Sequence, residues 1–448
     1  MSTRSIIEAL RQEAQVLDQD NSIDRILGHI GDASIVLLGE ATHGTHEFYR
    51  VRAEISKRLI AEKGFDAIVV EADWPDALRA SRFVRANPGE TDTTADSALG
   101  GFERFPQWMW RNTDVVELLS WLRMHNMQLA DEREKVGFFG LDLYSLRGSM
   151  DAVVRYLSQV DPEAARRARA RYACFDHLAE DPQRYGYAAS FGMRKDCEDE
   201  VIHQLVEMTT DAQRLVPPGD RDSEDELFFA QQNARVAQNA EAYYRAMFLG
   251  RNESWNLRDR HMAETLEALR GHMIDKKGRR PKIVVWAHNS HLGDARATEM
   301  GEHGQLNLGQ LVREQYGTKE SFLLGFTTHT GTVTAASDWD EPAETKMIRP
   351  SHPDSYERVF HDCELGRFIV PLRASPRLHA LLEEQRLERA IGVVYLPESE
   401  RVSHYFHASL SRQFDAVIHI DETRAVRPLE RTAAHHDGDV PETYPSGI

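Results

Sequence analysis

The chain has 448 residues, which exceeds the ~250–300 residues at which a single hydrophobic core usually stops growing. We therefore expect one large core and a second structural part. Hydrophobic residues make up 41% and charged residues 28% of the sequence, and these shares exclude a fibrous repeat and argue against long disorder. The net charge of -18 disfavours nucleic acid and anionic membranes as partners, because both are negatively charged.

The cysteines and the hydropathy pattern bear on the compartment. Cys174, Cys197 and Cys363 show no paired spacing, so the sequence predicts neither a disulfide nor a thiolate metal site. This pattern fits a protein of a reducing compartment. The N-terminus lacks the apolar core of a signal peptide, and no apolar run approaches the ~18 residues of a membrane span. We expect a cytoplasmic protein without a membrane partner, and the sequence leaves its oligomeric state open.

Four short apolar runs predict strands that are buried on both faces, at residues 35–38, 67–70, 136–141 and 283–286. Between the first two runs, apolar side chains recur at helical spacing across residues 47–63. A strand, a helix and a second strand in this order predict a parallel pairing.

The rest of the chain divides by its patterns. Strand signals are absent from residues 151–272, where long helical patterns cover 198–215 and 225–248. Further strands are predicted at 322–326, 368–372, 391–395 and 416–420, with helices at 308–316 and 376–386. The predicted fold is a three-layer α/β/α arrangement with a mostly parallel sheet. Its α/β domain comprises residues 1–150 and 281–430, with a helical insertion at 151–280 and a flexible tail at 431–448.

Polar side chains follow four of the predicted strands at the point where each strand ends. In a parallel sheet these ends share one edge, where open α/β proteins bind ligands. Each residue alone has a structural explanation, such as a helix cap or a satisfied loop. Four coincident endings favour a functional site, formed by Glu40 and His43, Glu71 and Asp73, Asp142 and Tyr144, and His288 and His291.

The residue types in this set suit hydrolysis. A neutral imidazole titrates near pH ~6.5 and can take a proton from water, and a nearby carboxylate stabilises the imidazolium that forms. His43 with Glu40 or Glu71 supplies such a pair. No G-x-S-x-G nucleophile elbow occurs, and no cysteine follows a strand, so attack by activated water is the simpler hypothesis.

The sequence also allows a metal-binding site. Two H-x-x-H pairs, His43 with His46 and His288 with His291, have a spacing that is moderately specific for metal ligation. A H-E-x-x-H motif is absent, because Arg50 stands where the second histidine would fall. We favour a metal-free site without a cofactor.

Cations and aromatic residues could complete a pocket. Arg52, Arg111 and Arg258 could meet the charge that develops on a carbonyl oxygen, although surface salt bridges explain arginines equally well. Aromatic clusters around Trp110 and Trp255 could line a pocket for an apolar substrate or simply pack the core.

Three separated motifs resemble the erythromycin esterase family. They are L-G-E-A-T-H-G-T-H-E at residues 38–47 with Arg52, G-F-D-A-I-V-V-E-A-D-W-P at 64–75, and W-A-H-N-S-H-L-G-D-A-R at 286–296. The similarity extends to residues 404–407 and 414–424. The segments E-A-D-W-P and G-L-D-L-Y-S are closer to a broad branch of the family than to its macrolide-resistance enzymes.

The resemblance implies a three-layer α/β/α sheet with a helical insertion, and hydrolysis of an ester or macrolide lactone by a water that a histidine activates. His43 matches the family's proposed general base. A metal-dependent hydrolase and a protein that binds a small ligand without turnover are the alternatives. Our candidate catalytic residues are His43, Glu40, Glu71, His288 and Arg52, and our candidate substrate-binding residues are His291, His46, Asp142, Tyr144, Trp110, Arg111 and Arg258.

Overall fold

A computed structural model describes residues 2–17, 22–87, 89–175, 182–190, 196–216, 221–248 and 250–430. The predicted flexible tail at 431–448 lies outside the described residues. The strands are β1 (Gln15–Val16), β2 (Ile35–Leu38), β3 (Ala67–Asp73), β4 (Gly137–Asp142), β5 (Ile283–Trp286), β6 (Ser321–Ala335), β7 (Glu344–Ile348), β8 (Arg367–Val370), β9 (Arg386–Arg389), β10 (Tyr405–Ala408) and β11 (Ala416–Thr423).

The helices are α1 (Thr3–Glu13), α2 (Ser22–Ile30), α3 (His46–Lys63), α4 (Trp74–Arg85), α5 (Ala95–Ala98), α6 (Thr113–Asn126), α7 (Leu146–Val160), α8 (Pro162–Tyr172), α9 (Pro182–Ser190), α10 (Glu198–Thr210), α11 (Ala212–Leu215), α12 (Arg221–Ala246), α13 (Arg251–Lys277), α14 (Asn289–Leu292), α15 (Glu299–Glu302), α16 (Leu308–Glu320), α17 (Tyr356–His361), α18 (Pro376–Leu381), α19 (Glu400–Ser403) and α20 (Leu410–Gln413). None of the helices in the described part of the chain has the length and apolar character needed to cross a membrane.

Nine strands form one mostly parallel sheet in the order β1-β8-β11-β6-β2-β5-β3-β4, and β7 pairs with β6 outside this path. The run from β11 to β4 is parallel throughout, whereas β1, β7 and β8 pair antiparallel. The predicted parallel core is therefore confirmed. β9 and β10 form a separate antiparallel pair.

The two faces of the sheet are covered by different helices, because successive side chains of a strand point to opposite faces. Val36 and Leu38 of β2 belong to the apolar cluster that includes α2, α3 and α6. Ile35 and Leu37 belong to the cluster that includes α1, α13 and α16. The three-layer α/β/α prediction is confirmed.

A third apolar cluster joins helices between residues 143 and 247. Phe228 and Phe229 of α12 and Met262 of α13 instead pack in a cluster with the sheet. The helical segment therefore has a core of its own and also covers the sheet, while the division into domains at 150 and 281 stays a prediction.

Two predicted elements differ from the structure. Residues 391–395 form only isolated bridges, Ile391 with Thr42 and Val394 with Ala336. The apolar run at 391–395 reflects the packing of Ile391 and Tyr395 in a small buried cluster and not membership of a strand. The predicted helix at 376–386 is also too long, since α18 ends at Leu381 and the chain then turns to pair β9 with β10.

The prediction that no disulfide forms was wrong for one pair. Cys174 and Cys197 are bonded to each other, with their Cα atoms 6.1 Å apart. They are 23 residues apart in sequence, so no local spacing signals the contact. Cys363 is free and buried.

Candidate active site

Four neighbouring parallel strands end at one edge of the sheet. In spatial order they are β2, β5, β3 and β4. A cavity of about 110 Å³ lies at this edge. Eight of the twelve predicted site residues line it, namely His43, Glu71, Trp110, Asp142, Tyr144, Arg258, His288 and His291.

The loop that follows β2 places His43. The backbone N–H of His43 donates to the carbonyl of Ile391 over 3.3 Å, and the N–H of Thr334 donates to the carbonyl of Gly44 over 3.0 Å. A Cβ atom at Gly44 would lie 1.8 Å from the carbonyl oxygen of Thr334, so only glycine allows this approach. The loop is thus held against β6, and His43 has little freedom to move.

Glu40 orients the His43 ring. The Nδ1 atom of His43 lies 3.0 Å from Oε1 of Glu40, and both residues are buried. A carboxylate only accepts hydrogen bonds, so Nδ1 carries the proton in the neutral ring and Nε2 is left as an acceptor. This arrangement suits a general base.

Arg52 lies behind Glu40 and not in the cavity wall. Its guanidinium donates to Oε2 of Glu40 and lies 4.7 Å from the ring centroids of both Tyr49 and Trp286. The side chain is fully buried. Arg52 therefore positions Glu40, and the structure does not place it where it could contact a substrate carbonyl.

His288 has a different protonation pattern from His43. The backbone N–H of Ser290 donates to Nδ1 of His288 over 3.2 Å, so Nδ1 is an acceptor and Nε2 carries the proton of the neutral ring. Burial, together with the nearby charge of His43, lowers the pKa of His288 well below 6.5. Nε2 is buried and has no hydrogen-bond partner among the described residues, and the Ala41 backbone near the ring opposes the lowering of its pKa. His288 is therefore a neutral donor, and its ring centroid lies 4.9 Å from that of His43.

Arg258 joins two carboxylates of the cavity wall. Its Nε and Nη2 atoms donate to Asp142 over 3.0 and 2.7 Å, and Nη2 also donates to Glu71 over 2.6 Å. Its guanidinium lies 4.9 Å from the centroid of the Tyr144 ring. Burial opposes ionisation of Glu71, but the charges of His291, Arg258 and His43 outweigh it and hold the pKa of Glu71 well below 4.5. Glu71 is consequently a carboxylate at neutral pH.

His291 belongs to this ion network. Its Nδ1 lies 3.0 Å from Asp259, and its ring stacks on Trp255 with centroids 4.5 Å apart. Its Nε2 lies 3.1 Å from Nη1 of Arg258 and 3.4 Å from Glu71. Burial lowers the pKa of His291, but the two carboxylates raise it more, so the net shift is upward. His291 therefore links charges in the wall and is less suited to be the free base.

Four predicted residues lie outside the cavity wall: Glu40 and Arg52, described above, and His46 and Arg111. His46 begins α3, and its Nδ1 lies 2.8 Å from Asp114. Arg111 bonds to Glu430 and lies 3.5 Å from Asp96. The structure therefore does not support the prediction that His46 and Arg111 contact a substrate.

The two H-x-x-H pairs do not converge on a metal-binding geometry. Each of their four histidines is bonded to a different partner: Glu40, Asp114, Ser290 or Asp259. Within the described ranges no group of three or more His, Cys, Asp or Glu side chains is arranged to hold a metal ion.

Sequence reasoning missed part of the cavity wall. Asp73 follows a predicted strand but is not among the candidate catalytic or substrate-binding residues, and neither is Asp76, which lies three residues further in the first turn of α4. Ser290, Arg104 and Trp339 also line the cavity. Trp339 follows the long strand β6, so only the tertiary structure reveals its position. The remaining wall includes Phe102, Phe105, Pro106, Met109, Gly392 and Val393.

The fold and the site together define a three-layer α/β protein with a buried Glu/His centre at its strand ends. A family model described as erythromycin esterase matches residues 60–423. The chain belongs to the erythromycin esterase family. The family and the names of its relatives indicate a hydrolase.

Relatives resemble the chain over most of its length. A putative hydrolase, YbfO of Bacillus subtilis (strain 168), is 24% identical over 437 residues, which cover 92% of this chain and 90% of that protein. Erythromycin esterase type II of Escherichia coli is 20% identical over 412 residues, covering 84% and 91%.

Two solved structures share the fold. A protein from Bacillus cereus has a TM-score of 0.77 at 21% identity, covering 96% of this chain and 100% of that one. A histidine mutant of the erythromycin esterase EreC, described as in its open conformation, has a TM-score of 0.64 at 17% identity, covering 92% and 97%. At these identities the likeness concerns the fold.

Proposed function

We propose that this protein is a metal-independent hydrolase of small carboxylic esters or lactones, in which His43 activates the attacking water. The observation that carries the proposal is the 3.0 Å bond between Nδ1 of His43 and Glu40, in a ring that lines the cavity. That bond leaves Nε2 to take a proton from water, and the Glu40 carboxylate stabilises the imidazolium that forms.

Direct attack by water is favoured over a serine nucleophile. Ser290 lines the cavity, and its hydroxyl oxygen lies 2.8 Å from Nδ1 of His288. The lowered pKa of His288 makes that ring a weak base, and burial is the main cause. His43, in contrast, has Glu40 to stabilise its protonated form.

The charge that develops on the carbonyl oxygen needs a donor. We assign the Nε2–H group of His288 as that donor, since its Nδ1 accepts from the Ser290 backbone and Nε2, which is buried, has no hydrogen-bond partner among the described residues. Arg258 adds positive charge to the same cavity, although it is shared with Asp142 and Glu71. Preorganised donors of this kind act most strongly in a site with little water.

The size of the cavity limits the substrate. Its volume of about 110 Å³ is below the roughly 300–1,000 Å³ of pockets that enclose drug-sized ligands. We therefore infer a small acyl group or a small lactone ring, bound against the apolar side chains of Phe102, Phe105 and Trp339. Turnover of a macrolide would require the cavity to widen.

The test compares His43→Asn with a matched control, His46→Asn, because His46 lies outside the cavity three residues away. Both variants and the wild type are assayed on p-nitrophenyl acetate, ethyl acetate, γ-butyrolactone and a macrolide, with and without EDTA. We expect His43→Asn to lose at least ~10²-fold in kcat/KM, and His46→Asn to stay near wild type. EDTA should have no effect.

Three outcomes would contradict the proposal. Full activity of His43→Asn would exclude His43 as the base. Loss of activity in EDTA that is restored by a divalent metal would favour the metal-dependent alternative. Saturable binding of these compounds without turnover by the wild type would favour a binding protein.

A further inference from the structure

The Asp73 and Asp76 pair occupies a part of the cavity that the proposed mechanism does not use. Asp73 ends β3, and Asp76 lies in the first turn of α4. Both line the same cavity as His43. A cavity of about 110 Å³ has room for several water molecules, which can carry a proton between groups in its wall.

The two carboxyl groups have unequal partners. Arg104 lies 3.2 Å from Asp73 and also donates to the carbonyl of Tyr144. Arg79, the other arginine whose charge reaches Asp76, is bonded to Asp92 over 2.8 and 3.0 Å. The two arginines whose charge reaches Asp76 are therefore each paired with another carboxylate, Arg104 with Asp73 and Arg79 with Asp92.

The surroundings of Asp76 favour its neutral form. Gly101 covers it so closely that a Cβ atom there would lie 3.1 Å from Oδ1 of Asp76. Burial, followed by the negative charge of Asp73, raises the pKa of Asp76 to about 8, with Glu103 adding to the rise and Arg104 and Arg79 opposing it. The pKa of Asp73 is also raised, mainly by burial and in part by Asp142, while Arg104 and Arg258 oppose the rise.

Ester hydrolysis needs a group with these properties. An alcohol is a poor leaving group as an alkoxide, so a proton must reach its oxygen as the bond breaks. Glu71 has no proton to give at neutral pH. Asp142 is held by Arg258 in three hydrogen bonds, and the neutral ring of His288 is a donor but a very weak acid. The imidazolium of His43 is the alternative donor, and Asp76 is the carboxyl group of the cavity wall that can hold a proton and release it.

We propose that Asp76 is the general acid that protonates the leaving oxygen, directly or through one water, in the hydrolysis proposed above. Water adds to the carbonyl carbon while its proton passes to Nε2 of His43. The carbonyl then reforms, the electron pair of the C–O bond goes to the leaving oxygen, and that oxygen takes the Asp76 proton. The products are the acid and the alcohol. The extra proton on His43 returns to Asp76 through solvent.

This inference rests on the proposed function. Esters with different leaving groups test the role of Asp76 separately from the role of His43. Asp76→Asn keeps the shape and the neutrality of the protonated carboxyl but cannot transfer a proton. With ethyl acetate we expect kcat/KM to fall by ~10²-fold or more. With p-nitrophenyl acetate, whose leaving group needs no proton, we expect less than a fivefold change. Thermal unfolding of the variant should match that of the wild type.

The pH profile gives a readout that a merely structural role would not change. Wild-type turnover of ethyl acetate should fall as pH rises through about 8, because Asp76 then loses its proton. This alkaline limb should be absent with p-nitrophenyl acetate. In Asp73→Asn, which removes the neighbouring charge, the limb should move to lower pH.

The outcomes are distinguishable. If His43→Asn retains the hydrolysis of both esters, the proposed function fails. If His43→Asn abolishes both, but Asp76→Asn affects both esters equally or neither, Asp76 is not the acid while the proposed function stands. An alkaline limb that is unmoved in Asp73→Asn would also overturn the assignment.

Discussion

Replacing Glu40 by glutamine tests the orientation of His43 in depth, because the structure dictates how the new amide must lie. Arg52 is a donor only and bonds to the Oε2 position. The amide oxygen of Glu40→Gln must therefore face Arg52, which leaves the NH₂ group facing Nδ1 of His43. Nδ1 then has to accept, so the proton of the neutral ring moves to Nε2, and His43 loses the lone pair that takes a proton from water.

The expected effect is large. Inverting the tautomer of a catalytic histidine in this way costs ~10⁴-fold in kcat in a serine protease, which corresponds to about 5.4 kcal/mol of transition-state stabilisation. We expect kcat of Glu40→Gln on p-nitrophenyl acetate to fall by ~10³–10⁴-fold with KM little changed. The loss of the carboxylate beside buried Arg52 should also cost about 1–3 kcal/mol in the free energy of unfolding.

Steady-state kinetics and urea unfolding measure the two effects separately. The ¹⁵N chemical shifts of His43 should show the proton moving from Nδ1 to Nε2. Activity of Glu40→Gln within tenfold of wild type would refute the reasoning, and so would an unchanged tautomer in a folded but inactive variant.

Two further predictions concern the support of the site. Gly44→Ala should lower the free energy of unfolding by ~2 kcal/mol or more and reduce kcat, because its Cβ would collide with the Thr334 carbonyl. The control is Gly28→Ala in helix α2, where a Cβ meets nothing within 4 Å. In the same urea titration this control should be neutral or slightly stabilising. Arg258→Met should destabilise the protein by about 3–5 kcal/mol at neutral pH, because it leaves buried carboxylates unpaired. The lowered pKa of Glu71 gives stability that is present above pH 4.5 and is lost as the pH falls through the pKa of Glu71 in the folded state. Acid unfolding of Arg258→Met should therefore begin at a higher pH than in the wild type. An unchanged acid midpoint would contradict this role of Arg258.

The parallel core could be predicted because buried strands leave continuous apolar runs in the sequence. Residues 283–286 match β5 at both ends. The run at 391–395 has the same signature but is buried by side-chain packing, which composition does not distinguish from strand pairing. The Cys174–Cys197 bond joins segments that only the folded helices bring together. It also removes the cysteine argument for a reducing compartment, so a cytoplasmic location stays a prediction.

The sequence could predict only those site residues that directly follow the parallel strands. Because β2, β5, β3 and β4 are adjacent and parallel, side chains at their ends share an edge, and His43, Glu71, Asp142 and His288 line one cavity. Spacing does not say which way a side chain points from the following helix. His46 therefore faces Asp114 although it stands three residues from His43.

The charges of the site show why Asp76 differs from the other carboxyl groups. Arg52 bonds to Glu40, Arg258 bonds to Glu71 and Asp142, and Arg104 pairs with Asp73. Burying a carboxylate without a cation is costly, so a group without a cation of its own retains a proton instead. A neutral carboxyl group gives the site a proton donor for a leaving group in addition to the imidazolium that His43 forms when it takes a proton from water. In the mechanism that we propose, this unequal sharing of arginines leaves His43 as the base and Asp76 as the acid.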